Sequence, residues 1–193
     1  MKTATEAARY DYPGLNEKSL VIDAGAYRGG WAFEMWSKYG CGVLAFEPIQ
    51  EFFTKASDNL KGTPVTLVHA AVGGTMRTEL MGVQNDSTGV FAGSEKKEQV
   101  QVLPLCPFLL DNGFKEVAVL KLNVEGMEYE VLEHILDSGN VLRFQNFQVQ
   151  FHHNAPRWEE RYGKIAARLA LTHHLTWRTP FVWENWAFGR THP

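Results

Sequence analysis

Cysteine is scarce in this chain of 193 residues, with only Cys41 and Cys106 present. Two thiols cannot build a disulfide framework, so both are read as reduced core residues. No apolar run approaches the ~20 residues a membrane-spanning helix needs, and Met1–Asn16 has no apolar stretch of the secretory-leader kind. Neither sign of charge dominates. Nineteen Lys+Arg against 22 Asp+Glu leave a formal net charge of −3, which gives no whole-molecule electrostatic grip on nucleic acid or anionic lipid. Internal repeats, low-complexity tracts and a dividing Pro/Gly linker are also missing. The expectation is a single cytoplasmic domain over residues 19–193, preceded by a segment or lid at 1–18, with no membrane partner.

What is present is an alternation of two periodicities. Leu20-Val21-Ile22 is a short apolar run ending in Asp23-Ala24-Gly25, as a buried parallel strand running into a tight turn would be. Gly30–Tyr39 spaces Trp31, Met35 and Trp36 along one helical face and is stopped by Gly40. Gly42–Glu47 predicts a second strand, and Pro48 opens a helix through Leu60. Further strands are predicted at Val65–Ala70, Val117–Asn123 and Phe147–Phe151, and further helices at Met127–Leu136 and Arg157–His173. This order implies βαβ units, hence an α/β fold with a parallel sheet covered on both faces. Two segments break the alternation. Thr75–Leu103 reads as a β-hairpin or lid, and His174–Arg190 as an aromatic-rich hairpin turning at Thr179-Pro180, which would end the sheet in an antiparallel strand.

Open α/β sheets bind ligands beyond the carboxyl ends of their strands. The first such end reads Asp23-Ala-Gly25-Ala-Tyr27-Arg-Gly29-Gly30. A dinucleotide fingerprint needs a third-place glycine where Tyr27 stands, and a pyrophosphate gains nothing from Asp23. A ligand bearing an ammonium and a sulfonium would. Glu47 ends the second strand 22 residues after Gly25, where a carboxylate can accept hydrogen bonds from both hydroxyls of a ribose.

These stretches resemble the FkbM-type family of S-adenosylmethionine-dependent methyltransferases. The likeness is carried by Val21–Gly29, by Ala45-Phe-Glu-Pro48 with Asn59-Leu60, by Val65–Gly73, and above all by Lys121-Leu-Asn-Val-Glu-Gly-Met-Glu128 with Val131-Leu132. The resemblance implies a Rossmann-like class I methyltransferase fold, whose mostly parallel seven-stranded sheet has an antiparallel edge hairpin. It implies S-adenosylmethionine as cofactor and a methyl acceptor that is a hydroxyl on a sugar, glycan or small natural product. By position, Asp23, Gly25 and Gly29 would line the methionine end, Glu47 with Pro48 the ribose, and Ala71 and Val72 the adenine. The chain departs from the family in two places. Tyr27 replaces a small Asn and is expected to close the cofactor mouth or stack on the ligand. Asn123 replaces an Asp, so it can orient a hydroxyl or the cofactor's amine but cannot be a base.

Methyl transfer from a sulfonium needs approach geometry and, for a hydroxyl acceptor, a proton acceptor. The residues expected to supply these are His152, just past the fifth strand, with Asn123 and Glu125 positioning the hydroxyl. A histidine of unperturbed pKa ~6.5 suits proton transfer near neutrality. His153 is the alternative if the strand slips by one residue. A metal site is not expected, because the histidines lack ligand spacing. Trp158, Trp177, Trp183 and Trp186 follow the fifth strand and could form core, a homodimer surface or a sugar-stacking platform. Two other classes stay open: a binding module that keeps the fold without transferring a methyl, suggested by Asn123, and a nucleic-acid methyltransferase, disfavoured by the net charge.

Overall fold

In the computed structural model, residues 4–83, 96–180 and 182–189 are described. A short helix, α1 (Ala4–Ala8), precedes β1 (Leu20–Ala24), α2 (Gly30–Tyr39), β2 (Gly42–Phe46), α3 (Gln50–Asn59) and β3 (Thr66–Val68). Then come β4 (Ala71–Gly73), β5 (Arg77–Gly82), β6 (Lys97–Pro104), α4 (Leu105–Asp111), β7 (Val119–Leu122) and α5 (Glu128–Asp137). The chain continues with β8 (Asn146–Val149), α6 (Trp158–Leu169), β9 (His173–Thr179) and β10 (Trp183–Phe188).

Seven strands form one sheet in the order β3-β2-β1-β7-β8-β10-β9. The first five run parallel and β10 antiparallel. β1 and β7 sit at the centre because every residue from Val21 to Ala24 and from Val119 to Leu122 is buried, as continuous apolar runs covered on both faces must be. One face packs α2, the end of α3 and Tyr12 against Val21, Val43 and Val119. The other packs α4, α5 and α6 against Ile22, Leu44, Leu120 and Phe147. Glycines bracket α2: Gly29 precedes it at φ 79°, and Gly40 ends it at φ 64° with its N–H donating to Trp36 O.

Several boundaries differ from expectation, each for a physical reason. The third strand, expected over Val65–Ala70, shortens to β3, and Ala71–Gly73 beyond it joins a separate three-stranded sheet ordered β4-β6-β5. β4 runs parallel to β6, and β5 pairs with β6 as the expected hairpin; the middle of that hairpin lies outside the described residues. α4 is unanticipated; Pro104 is its N-cap, and Pro107 falls in the first turn, where its missing N–H costs nothing. α6 ends at Leu169 because His173 is drawn into the sheet, its ring 2.8 Å from both Phe144 O and Thr172 Oγ1. In the tail hairpin the antiparallel strand is the inner one, β10, and the outermost β9 runs with the parallel set. No helix among the described residues is long and apolar enough to cross a membrane.

Candidate active site

In-register pairing brings three strand ends level. Ala24 lies opposite Phe46 on one side and Leu122 on the other, so Gly25, Glu47 and Asn123 leave the sheet side by side. Gly25 has φ 78°, and its N–H, with that of Ala26, donates to Phe46 O. A Cβ on Gly25 would stand 2.0 Å from Asn123 O, so only glycine fits. Above these ends lies a cavity of about 130 Å³, bordered by Gly25, Tyr27, Glu47, Pro48 and Phe52. Asn123, Val124, Glu125 and Met127 form the opposite wall, with Ala71, Val72 and Met81 of the small sheet between. A larger concavity of about 700 Å³ opens at the amino ends of the strands, among Asn16, Ser19, Glu116, Asn146 and Trp177. It contains none of the residues expected to do chemistry.

Glu47 is buried. Its Oε2 accepts the Tyr27 N–H at 2.8 Å and its Oε1 the Ile49 N–H at 3.0 Å, leaving each oxygen further lone-pair capacity. Burial pushes its pKa up to about 7, against the pull of the two backbone N–H groups and Lys121. Tyr27 holds a left-handed φ of 54° with its ring edge-on to Phe52 at 4.6 Å. A small Asn tolerates that conformation; a tyrosine there carries strain of about 1–2 kcal/mol. The ring forms part of the cavity wall.

Two expected residues lie elsewhere. Gly29 does not border the cavity; a Cβ on it would meet Leu60 Cδ1 at 2.9 Å, so it serves the packing of α2 on the end of α3. Asp23 is fully buried, with Lys121 Nζ 2.6 Å from its Oδ1. The same Nζ donates to Gly25 O at 2.7 Å. Asp23 and Lys121 are register partners on β1 and β7, so their side chains rise on the same face. The charge of Asp23 is therefore already met, and what it can offer a ligand is Oδ2, buried without a partner. Sequence reasoning passed over Lys121. Its signal was a lysine inside the apolar run Val117–Asn123, which a buried strand accepts only if the charge is paired.

Asn123 Oδ1 is likewise buried without a partner. Beside it, Glu125 takes a left-handed φ of 51°, and such strain in a non-glycine residue gathers at functional sites. His152 does not border the cavity. Its ring lies between two carboxylates, Nδ1 3.3 Å from Glu128 Oε1 and Nε2 3.4 Å from Glu125 Oε2. Glu128 is buried and stitches the two loops together, accepting the Gly126 N–H at 2.8 Å and the His152 N–H at 2.7 Å. Burial pulls the His152 pKa down, but the hydrogen bonds and charges of Glu125 and Glu128 outweigh it and hold it at about 9. An imidazolium has no lone pair, so in this arrangement His152 cannot take the acceptor's proton near neutrality. His153 stacks on Trp158 at 4.3 Å. Trp183 and Trp186 are buried.

The raised pKa has a measurable consequence. Stabilisation from the charged His152 is complete below its unfolded value of ~6.5 and lost as pH climbs through about 9. The His152 ring proton resonances should titrate with a midpoint near 9. A midpoint below 7 would restore the ring as a base.

The sequence profile of the methyltransferase FkbM domain matches residues 23–176. Comparison with curated proteins returns no sequence match. Among solved structures, an rRNA methylase from Streptococcus thermophilus superposes with a TM-score of 0.57 at 11% identity, covering 97% of this chain and 98% of that one. SMU.1697c from Streptococcus mutans, in complex with S-adenosylhomocysteine, gives 0.62 at 10% identity over 98% and 99% of the two chains. TrmK from M. capricolum, with the same cofactor product, gives 0.52 at 8% identity over 98% of this chain and 70% of that one. At such identities the likeness is one of fold.

Proposed function

This chain belongs to the FkbM family of methyltransferases, and we propose that it methylates a hydroxyl oxygen of a small metabolite or glycan. S-Adenosylmethionine is the methyl donor of the family, supplying a methyl group on a sulfonium that leaves without further activation. The observation that carries the reading is the convergence of Gly25, Glu47 and Asn123 from three adjacent strand ends on one cavity. Other features fit a bound nucleoside with an amino-acid tail. Gly25 lets the Asn123 carbonyl approach the end of β1, where any Cβ would strike it, and Asp23 Oδ2 and Asn123 Oδ1 are buried acceptors awaiting donors.

In this reading Glu47 receives the ribose hydroxyls on lone pairs that its backbone partners leave open. Pro48, Ala71 and Val72 border the adenine, and Tyr27 closes that side. Asn123 donates an Nδ2 hydrogen to the oxygen of the incoming hydroxyl and so aims it. Glu125, which lines the cavity, accepts the proton, and protonated His152 is a positioning residue that holds Glu125 through Nε2. The RNA methylases among the structural neighbours share only the fold, and a formal net charge of −3 offers a phosphate backbone no overall attraction.

Calorimetry with S-adenosylhomocysteine tests the cofactor half. Removing a charged hydrogen-bond acceptor costs about 1.5–3 kcal/mol, so Glu47→Ala should bind on the order of 10–100-fold more weakly than wild type. Because the ribose hydroxyls donate to the ionised carboxylate, wild-type affinity should rise about tenfold between about pH 6 and 8 and then level, following a group at about 7. No heat with wild type would end the reading. The acceptor half is tested by S-adenosylhomocysteine release across a panel of hydroxylated metabolites and glycans; silence across the panel with intact cofactor binding favours a binding module.

A further inference from the structure

An α-amino acid end presents an ammonium and a carboxylate, so a site for it needs an anion and a cation. Asp23 Oδ2 is one such atom, buried and unpartnered. The described residues contain a matching cation in the segment before β1. Arg9 Nε is also buried without a partner. Its carbonyl accepts the Trp31 Nε1–H at 3.2 Å, which ties the residue to the first turn of α2. Its guanidinium lies 4.0 Å from the ring centre of Trp183, which opens β10. Glu184, the next residue, pairs with Val149 at the carboxyl end of β8, so Arg9 stands on the side of the crevice where β1, β7 and β8 end. The segment is held there by Tyr12, whose N–H donates to Tyr39 Oη at 2.8 Å and whose hydroxyl lies 2.7 Å from Gln148 Oε1.

We propose that Arg9 binds the α-carboxylate of the cofactor's amino-acid end, opposite the ammonium held at Asp23, so that the segment preceding β1 completes the cofactor site. This rests on the methyltransferase reading above. Lys121 already occupies Asp23 Oδ1, so Arg9 is not needed to neutralise that carboxylate. Stacking on Trp183 holds the guanidinium plane and leaves its edge for a planar anion, the geometry in which arginine grips a carboxylate through two N–H groups. Burial lowers the Arg9 pKa, and Asp23 is among the charges that oppose the fall, in keeping with their proximity. Arg9 lies before the residues matched by the family profile, 23–176.

The experiment compares two probes on the full chain by calorimetry: S-adenosylhomocysteine, and 5′-methylthioadenosine, which has the nucleoside but no amino-acid end. Arg9→Met keeps a stem to pack on Trp183 and removes the charge. It should weaken S-adenosylhomocysteine on the order of 10–100-fold while leaving 5′-methylthioadenosine within about twofold, and Arg9→Lys should recover part of the loss. Equal losses for both probes, or none for either, overturn the proposal. If Arg9→Met does not fold, Arg9→Gln is read the same way. Wild type that binds neither probe overturns the methyltransferase reading itself, whereas wild type that binds both with equal affinity overturns only the role of Arg9.

Discussion

Gly25→Ala is expected to abolish measurable S-adenosylhomocysteine binding, a loss of at least about 100-fold, and to lower thermal stability. The methyl group would stand 2.0 Å from Asn123 O and 3.0 Å from Asn123 C. These are backbone atoms, and Asn123 N–H is tied to Ala24 O at 3.1 Å. Relief therefore requires β1 and β7 to part at the ends that form the cavity floor. Left-handed strain adds about 1–2 kcal/mol to an overpacking cost of about 1–3 kcal/mol, which for a domain of this size lowers Tm by about 4–20 °C. Gly40→Ala is the matched control. Gly40 is also left-handed, at φ 64°, but a Cβ there meets nothing within 4 Å, so it should cost only the conformational part and leave affinity unchanged. Wild-type affinity in Gly25→Ala would show that the strand ends yield more readily than their hydrogen bonding indicates.

Lys121→Met should be the most destabilising single substitution at the site, by about 3–5 kcal/mol in urea unfolding. The substitution keeps the apolar length of the side chain and removes the cation. Asp23 is fully buried and would then face a low-dielectric interior with Oδ1 as well as Oδ2 unpartnered. Gly25 O would also lose its donor, so cofactor affinity should fall with stability. The cost comes from the stranded carboxylate rather than from the worth of the pair, so adding Asp23→Asn should restore part of the stability. A loss under about 1 kcal/mol in Lys121→Met, or no recovery in the double variant, would mean that burial of Asp23 does not depend on its contact with Lys121.

Most of the scaffold was legible along the chain because its signals are local. Gly30–Tyr39 is a helix with the expected bounds, since glycine at each end and apolar residues at helical spacing need no distant partner. The runs at Leu20 and Gly42, and the hairpin of the tail, are legible on the same grounds. Of the small sheet, the β5–β6 hairpin was legible and β4 was not. Ala71–Gly73 is three residues long, and its pairing partner, Val102–Pro104, lies some thirty residues further on, a distance over which periodicity carries no information. α4 was hidden because a short helix with prolines at its start has no long apolar stripe to declare it.

The site divides along the same line. Gly25 and Glu47 are readable because a glycine turn and a terminal carboxylate each follow a strand by fixed steps, and a parallel sheet carries successive strand ends to one edge. Ionisation states are not written that way. Asp23 met Lys121 only when β1 and β7 paired in register. The His152 ring met its two carboxylates only when Glu125 and Glu128, more than twenty residues earlier, were brought beside it. Arg9 came to lie over Trp183 only when the first segment folded against Trp31 and β10. Local pattern selects backbone conformation, because dihedral preference and hydrophobic period act between near neighbours. Charge is set by whatever the folded chain places within a few ångströms, because desolvation and Coulomb energy depend on distance in space and not on separation in sequence.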